Sequence, residues 1–191
     1  MRSDAVLRRK KLIDAACALF RSQPSTTVTL EAIASRAGVG IATLYRNFPT
    51  RGDLDVACGI AMLTDIGLLI EELKENFHTD PRAQWDRFVW RLLDFGAWPL
   101  VAAIAAEDLA KNPELAAKRD ETIAAFQTAL DLAVPAGLVP RDLTPQEFAE
   151  EVFVVTRPLG GKLGEHHPDV QNRLVGRLLT AWRNADELHV G

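Results

Sequence analysis

Apolar residues recur at three- and four-residue spacing along most of the chain, and no stretch of any length alternates apolar with polar as a half-buried strand would. The pattern predicts an all-α protein. Leu12, Ile13, Ala16, Leu19 and Phe20 form one stripe and place a first helix over residues 5–22. Leu30, Ile33, Ala34 and Ala37 form the next, and Thr29 stands where an N-cap hydroxyl accepts a bond from an orphan backbone N–H. That helix begins at Thr29 or one residue later. Ala32 occupies the position where a capping box needs Glu or Gln, so only the hydroxyl half of the box is available. Gly38 follows the last apolar position, where the chain must enter the left-handed region, which glycine does without a Cβ penalty. A second short helix opens at Gly40 or Ile41 and runs through Asn47, with Leu44 and Phe48, four apart, facing inward.

Pro49 stops that helix, and Thr50 or Asp53 can cap the long helix that follows to about Phe77. Further helices are expected over residues 81–97, 99–111, 113–134, 144–163 and 168–188, four of them starting at or just after a proline, whose fixed φ and missing N–H suit a first helical turn. The total is about nine. Residues 23–27, rich in proline and hydroxyls, form a loop. A boundary at residue 52 separates a three-helix head, residues 1–52, from a helical body, residues 53–191.

The outward face of the helix over residues 41–47 carries Ala42, Thr43, Arg46 and Asn47. Small residues let a helix approach DNA closely, Arg pairs with guanine O6 and N7, and Asn with adenine N6 and N7. The ordered string AACALF…TTVTLEAIASRAGVGIATLYRNFPTRGDL, over roughly residues 10–57, closely resembles the N-terminal helix-turn-helix domain of the TetR (tetracycline-repressor-like) family of bacterial transcription regulators. Many members have Ser in place of Gly40 and a small residue in place of Ile41; these departures bear on which DNA sequence is recognised.

The resemblance implies that Tyr45 and Arg51 hold DNA phosphates, with Thr29 and Thr43 as hydroxyl partners. Arg46 and Asn47, with Ile41 and Thr43 as further candidates, would contact bases. It also implies a homodimer joined through its last two helices, whose stripes Phe148, Val152, Val155, Leu159 and Leu174, Leu178, Leu179, Trp182 suit either a four-helix interface or the monomer core. A two-fold dimer implies a roughly palindromic operator with recognition helices about 34–36 Å apart. A small, largely apolar effector in the body would tilt the long connecting helix, spoil that spacing and release a repressor.

Charge changes the picture locally. The chain carries a formal net charge of −4, which argues against nucleic acid until it is divided. Residues 1–51 contain nine Lys and Arg against three acidic residues, a net +6, and the remainder carries −10. A basic head on an acidic body is the footprint of phosphate binding at one end. For Arg8, Arg9, Lys10 and Lys11 a solvated charge run is the competing reading. Cys17 and Cys58, with no CxxC motif, are expected as reduced thiols. The sequence shows neither a membrane-length apolar run nor a signal segment, so the expected location is cytoplasmic, with no membrane partner.

In the body, Trp85, Phe88, Phe95 and Trp98 cluster in sequence, with Phe126 further on; they suit either an apolar effector pocket or ordinary core. The adjacent His166 and His167 have no third ligand at zinc spacing, Gly160-Gly161 lacks a phosphate-loop context, and no cofactor is called for. An all-α enzyme or small-molecule carrier is the rival class, but no HExxH, GxSxG or phosphate loop is present. An activator or a ligand-independent regulator would carry the same motifs as a repressor.

Overall fold

In the computed structural model, residues 2–22, 27–94, 112–156 and 169–185 are described, and every regular element among them is an α-helix. There are eight: α1 Arg2–Ser22, α2 Leu30–Ala37, α3 Ile41–Asn47, α4 Arg51–Asn76, α5 Pro81–Asp94, α6 Pro113–Ala133, α7 Pro145–Thr156 and α8 Val170–Arg183. The helix expected over residues 99–111 lies outside the described residues, as do Phe95, Trp98, Leu159, Gly160, Gly161, His166 and His167.

Capping chemistry explains the boundaries. Thr29 accepts the Ala32 amide at 3.1 Å and starts α2. Gly38, at φ 68°, ends it by donating to the Ser35 carbonyl, while the Val39 amide reaches Ala34, a Schellman turn. No heavy atom lies within 4 Å of a Cβ built on Gly38, so only the backbone resists a side chain there. Gly38→Ala is therefore expected to destabilise the chain by about 1–2 kcal/mol in denaturant unfolding; an unchanged midpoint would show that the turn relaxes freely.

At α4 the two capping candidates act together. The Asp53 carboxylate accepts both the amide and the hydroxyl of Thr50, and the Asp53 amide donates to the Thr50 hydroxyl. This reciprocal box starts α4 at Arg51. Thr144 and Glu147 repeat the arrangement at α7. Asp80 and Asn112 cap α5 and α6 through the Ala83 and Leu115 amides, each followed by a proline at the first helical position.

The chain divides into two compact units, residues 1–64 with 99–119, and residues 65–98 with 120–191. In the first, Leu12 and Phe20 of α1, Ile33 of α2, Leu44 and Phe48 beside α3, and Leu54 of α4 are fully or almost fully buried. Burying each such side chain contributes about 1.5–3 kcal/mol. Cys58 is buried and Cys17 half-buried, both as free thiols. A hydrogen bond with Cys17, then burial, pushes the Cys58 thiol well above its ordinary pKa, so it is held protonated.

The second unit is organised on aromatic rings. Phe148 stacks on Phe88 at 6.2 Å, meets Phe126 edge-on at 5.1 Å, and lies within 5.6 Å of both Trp85 and Trp182. Polar links tie α8 down at its end: the Trp182 indole donates to Glu151 at 2.6 Å, and Arg183 pairs with Asp86. Along α8, Val175, Leu179 and Trp182 turn inward while Leu174 is exposed; on α7, Phe148 and Val152 turn inward while Val154 is 68% exposed. The expected apolar stripes are thus divided: Phe148, Val152, Leu179 and Trp182 go to the core, Val155 and Leu178 are half-buried, and Leu174 is exposed.

Candidate nucleic-acid interface

The recognition-type helix α3 is held from one side by Leu44 and Phe48, both fully buried, and from its ends by the capped turn and by α1. Arg9 of α1 lies over the Phe48 ring, 4.2 Å from its centroid, and donates to the Asn47 carbonyl at 3.0 Å. A guanidinium at the last carbonyls of a helix meets the negative end of its dipole, and the ring contact adds a cation–π attraction. Of the basic run at residues 8–11, Arg9 thus fastens α3 to α1. Sequence reasoning treated the run as one block and missed this role; the only signal would have been an aromatic at the end of α3.

What remains outward on α3 is a continuous face. Tyr45 is 48% and Ile41 37% exposed, both large apolar bodies left in solvent on a well-anchored helix. Ala42 and Arg46 are exposed beside them, and Thr43 is half-buried. The Arg46 guanidinium donates to the Thr43 hydroxyl at 2.9 Å, which places a cation with spare N–H groups at the centre of the face. Thr29 is exposed, its hydroxyl engaged in capping α2.

Two expected site residues are placed differently from this face. Asn47 is half-buried on its flank, and its amide donates to the Thr43 carbonyl at 2.8 Å. Arg51 is directed into the head: Nε donates to both Asp55 oxygens at 2.8 and 3.0 Å, a terminal nitrogen donates to the Val28 carbonyl at 2.6 Å, and the guanidinium lies 5.1 Å from the Phe20 ring centroid. It joins α4, α1 and the entry to α2. The body candidates Trp85, Phe88 and Phe126 come together as a packed aromatic cluster, each at most 6% exposed.

The start of α4, directly after α3, carries a carboxylate of unusual acidity. Hydrogen bonds from the Thr50 hydroxyl and amide hold Asp53 below the ordinary carboxylate range, with Arg9 adding a smaller Coulombic pull. A depressed folded pKa means that the capping contribution is complete above the unfolded value of about 3.9 and is lost as pH falls through the lower folded value. In an NMR titration, the Thr50 amide is expected to keep its shift at pH 5 and to move only below about pH 3.9. A midpoint above that would contradict the box.

Residues 12–58 match the family model described as bacterial regulatory proteins, tetR family. The HTH-type transcriptional regulator SAB2452 of Staphylococcus aureus is 30% identical over 83 residues, covering 42% of this chain and 43% of that protein. The chain thus aligns with less than half the length of such relatives. Over nearly the whole chain the likeness is one of fold. A TetR transcriptional regulator, SCO0520, from Streptomyces coelicolor superposes with a TM-score of 0.65 at 24% identity, covering 92% of this chain and 98% of that one. The TetR-like regulator LfrR from Mycobacterium smegmatis, solved in complex with proflavine, gives 0.67 at 23% identity, covering 92% and 95%. Residues 12–58 thus match the helix-turn-helix domain of the tetR family of bacterial regulatory proteins, and over most of its length the chain is similar in fold to solved TetR regulators.

Proposed function

We propose that the chain is a homodimeric, cytoplasmic transcriptional repressor that binds a two-fold-related operator through α3 and is released by a small-molecule effector. It acts as a regulator rather than a catalyst. Residues 1–52 serve as the DNA-binding head, and residues 53–191 as the effector-binding and dimerisation body. The observation that carries this reading is the exposed face of Ile41, Ala42, Tyr45 and Arg46 on a helix fixed by a Schellman turn and by Arg9. Arg46 is the base-contacting residue, Ile41 and Thr43 flank it, and Tyr45 and the exposed N-terminal basic residues of α1 contact phosphates. Asn47 and Arg51 support the head from within.

The dimer forms through α7 and α8, where Val154 and Leu174 remain exposed. An effector site in the body draws on the aromatic cluster. The Trp85 indole N–H is buried with no hydrogen-bond partner among the described residues, a donor that a ligand acceptor would satisfy. Deleting the gene while a reporter reads the promoter bound by the purified protein tests the sign of regulation. Expression is expected to rise; a fall would make the protein an activator. Sedimentation with a single operator duplex is expected to give two chains per duplex, and one chain per duplex would overturn the homodimer.

A further inference from the structure

A groove of about 510 Å³ opens within the first unit, apart from the aromatic cluster. Its apolar wall is built by Ile13 of α1 and by Val56, Ile60 and Ala61 of α4. Arg9, Asp53 and Glu114 supply charge at its edge, and Asn47 brings in the end of α3. Four helices, α1, α3, α4 and the start of α6, therefore meet around one cavity. Its size falls within the range of about 300–1,000 Å³ typical of small-molecule sites, and an apolar wall with a few polar groups is their usual lining.

Charge selects the ligand class. Arg9 acts on Asp53 electrostatically and is already bound to Asn47 and Phe48, so these two opposite charges offset one another. Glu114 is exposed and forms no ion pair among the described residues, so it is the one carboxylate of the groove's described lining without a paired cation there. The start of α6 is not vacant for an anion, because Asn112 already caps it through the Leu115 amide.

We propose that this groove binds a compact amphipathic cation, an amine on an aryl or short alkyl body, with its ammonium at Glu114 and its body against Ile13, Val56 and Ile60. A ligand seated there borders Arg9 and Asn47, the pair that fastens α3 to α1, and so lowers DNA affinity by disturbing that link. The effect on DNA rests on the DNA-binding reading above; the binding itself does not.

The test is a titration of the methyl-labelled full chain with phenylbutylamine, and with phenylbutanol and phenylbutyrate as neutral and anionic counterparts. Saturable shifts are expected at Ile13, Val56 and Ile60. The alcohol is expected to bind about three- to fivefold more weakly, as for an exposed ion pair, and the carboxylate more weakly again. Glu114→Gln is expected to bring the amine to the level of the alcohol, and Ala61→Phe to abolish the shifts by filling the groove. Absence of saturable shifts at these methyls, or equal affinity for amine and carboxylate, overturns the site. DNA binding is measured on the same samples. Unchanged DNA affinity with the groove saturated overturns the regulatory consequence, whereas shifts in a protein that binds no DNA leave the groove intact and overturn the DNA-binding reading.

Discussion

Phe148→Ala is expected to be the most destabilising single change in the second unit, at about 3–5 kcal/mol, the usual cost of emptying a buried aromatic position. Phe148 is fully buried and touches rings from α5, α6 and α8: Trp85, Phe88, Phe126 and Trp182. No one of these neighbours can fill the space without leaving the others. Each contact also adds the orientation preference of aromatic pairs to simple area burial. Urea unfolding followed by tryptophan fluorescence reads the effect directly, since Trp85 and Trp182 lie against the substituted ring. A loss below about 1.5 kcal/mol would show that the cluster collapses around the gap instead of being fixed by Phe148.

Arg46→Ala is expected to have the largest effect on DNA binding. A guanidinium paired bidentately with guanine is worth about 1–3 kcal/mol of discrimination, so the variant should lose specific affinity and relax its preference at one base-pair position. Folding stability should hardly change, because Arg46 is exposed and donates to Thr43 on the same helix. Binding isotherms on operator and on random duplex separate the two roles. Equal losses on both would make Arg46 a phosphate contact. Arg51 differs in kind: its bonds to Asp55 and Val28 tie its removal to the stability of the head.

The parts legible in the sequence are those fixed by neighbours along the chain. Thr29 caps, Gly38 turns, and Leu44 with Phe48 seat α3, because each depends on residues within one or two helical turns. Interactions across the fold were not legible. Arg51 has a visible signal in Asp55, four residues on, but its bond to the Val28 carbonyl and its contact with Phe20 depend on how three segments pack. Arg9 sits in a basic run that spacing cannot divide, yet it lies over Phe48, 39 positions away in sequence. On α8, Leu174 and Val175 are adjacent and similarly apolar, and only packing sends Val175 inward. The aromatic residues of the body were consistent with either pocket or core; the ring contacts show three of them packed together, and helical spacing could not have revealed that the buried Trp85 N–H has no partner among the described residues.

The central claim is that the exposed face of α3 recognises DNA sequence. Selection of bound duplexes from a random pool, with the purified full chain at low and at moderate salt, tests it most directly. The expected result is enrichment of a two-fold-related sequence with half-sites about one helical turn apart, retained at the higher salt while random duplex is released. Binding without enrichment would reduce α3 to an electrostatic contact, and failure to retain any duplex at low salt would contradict the account.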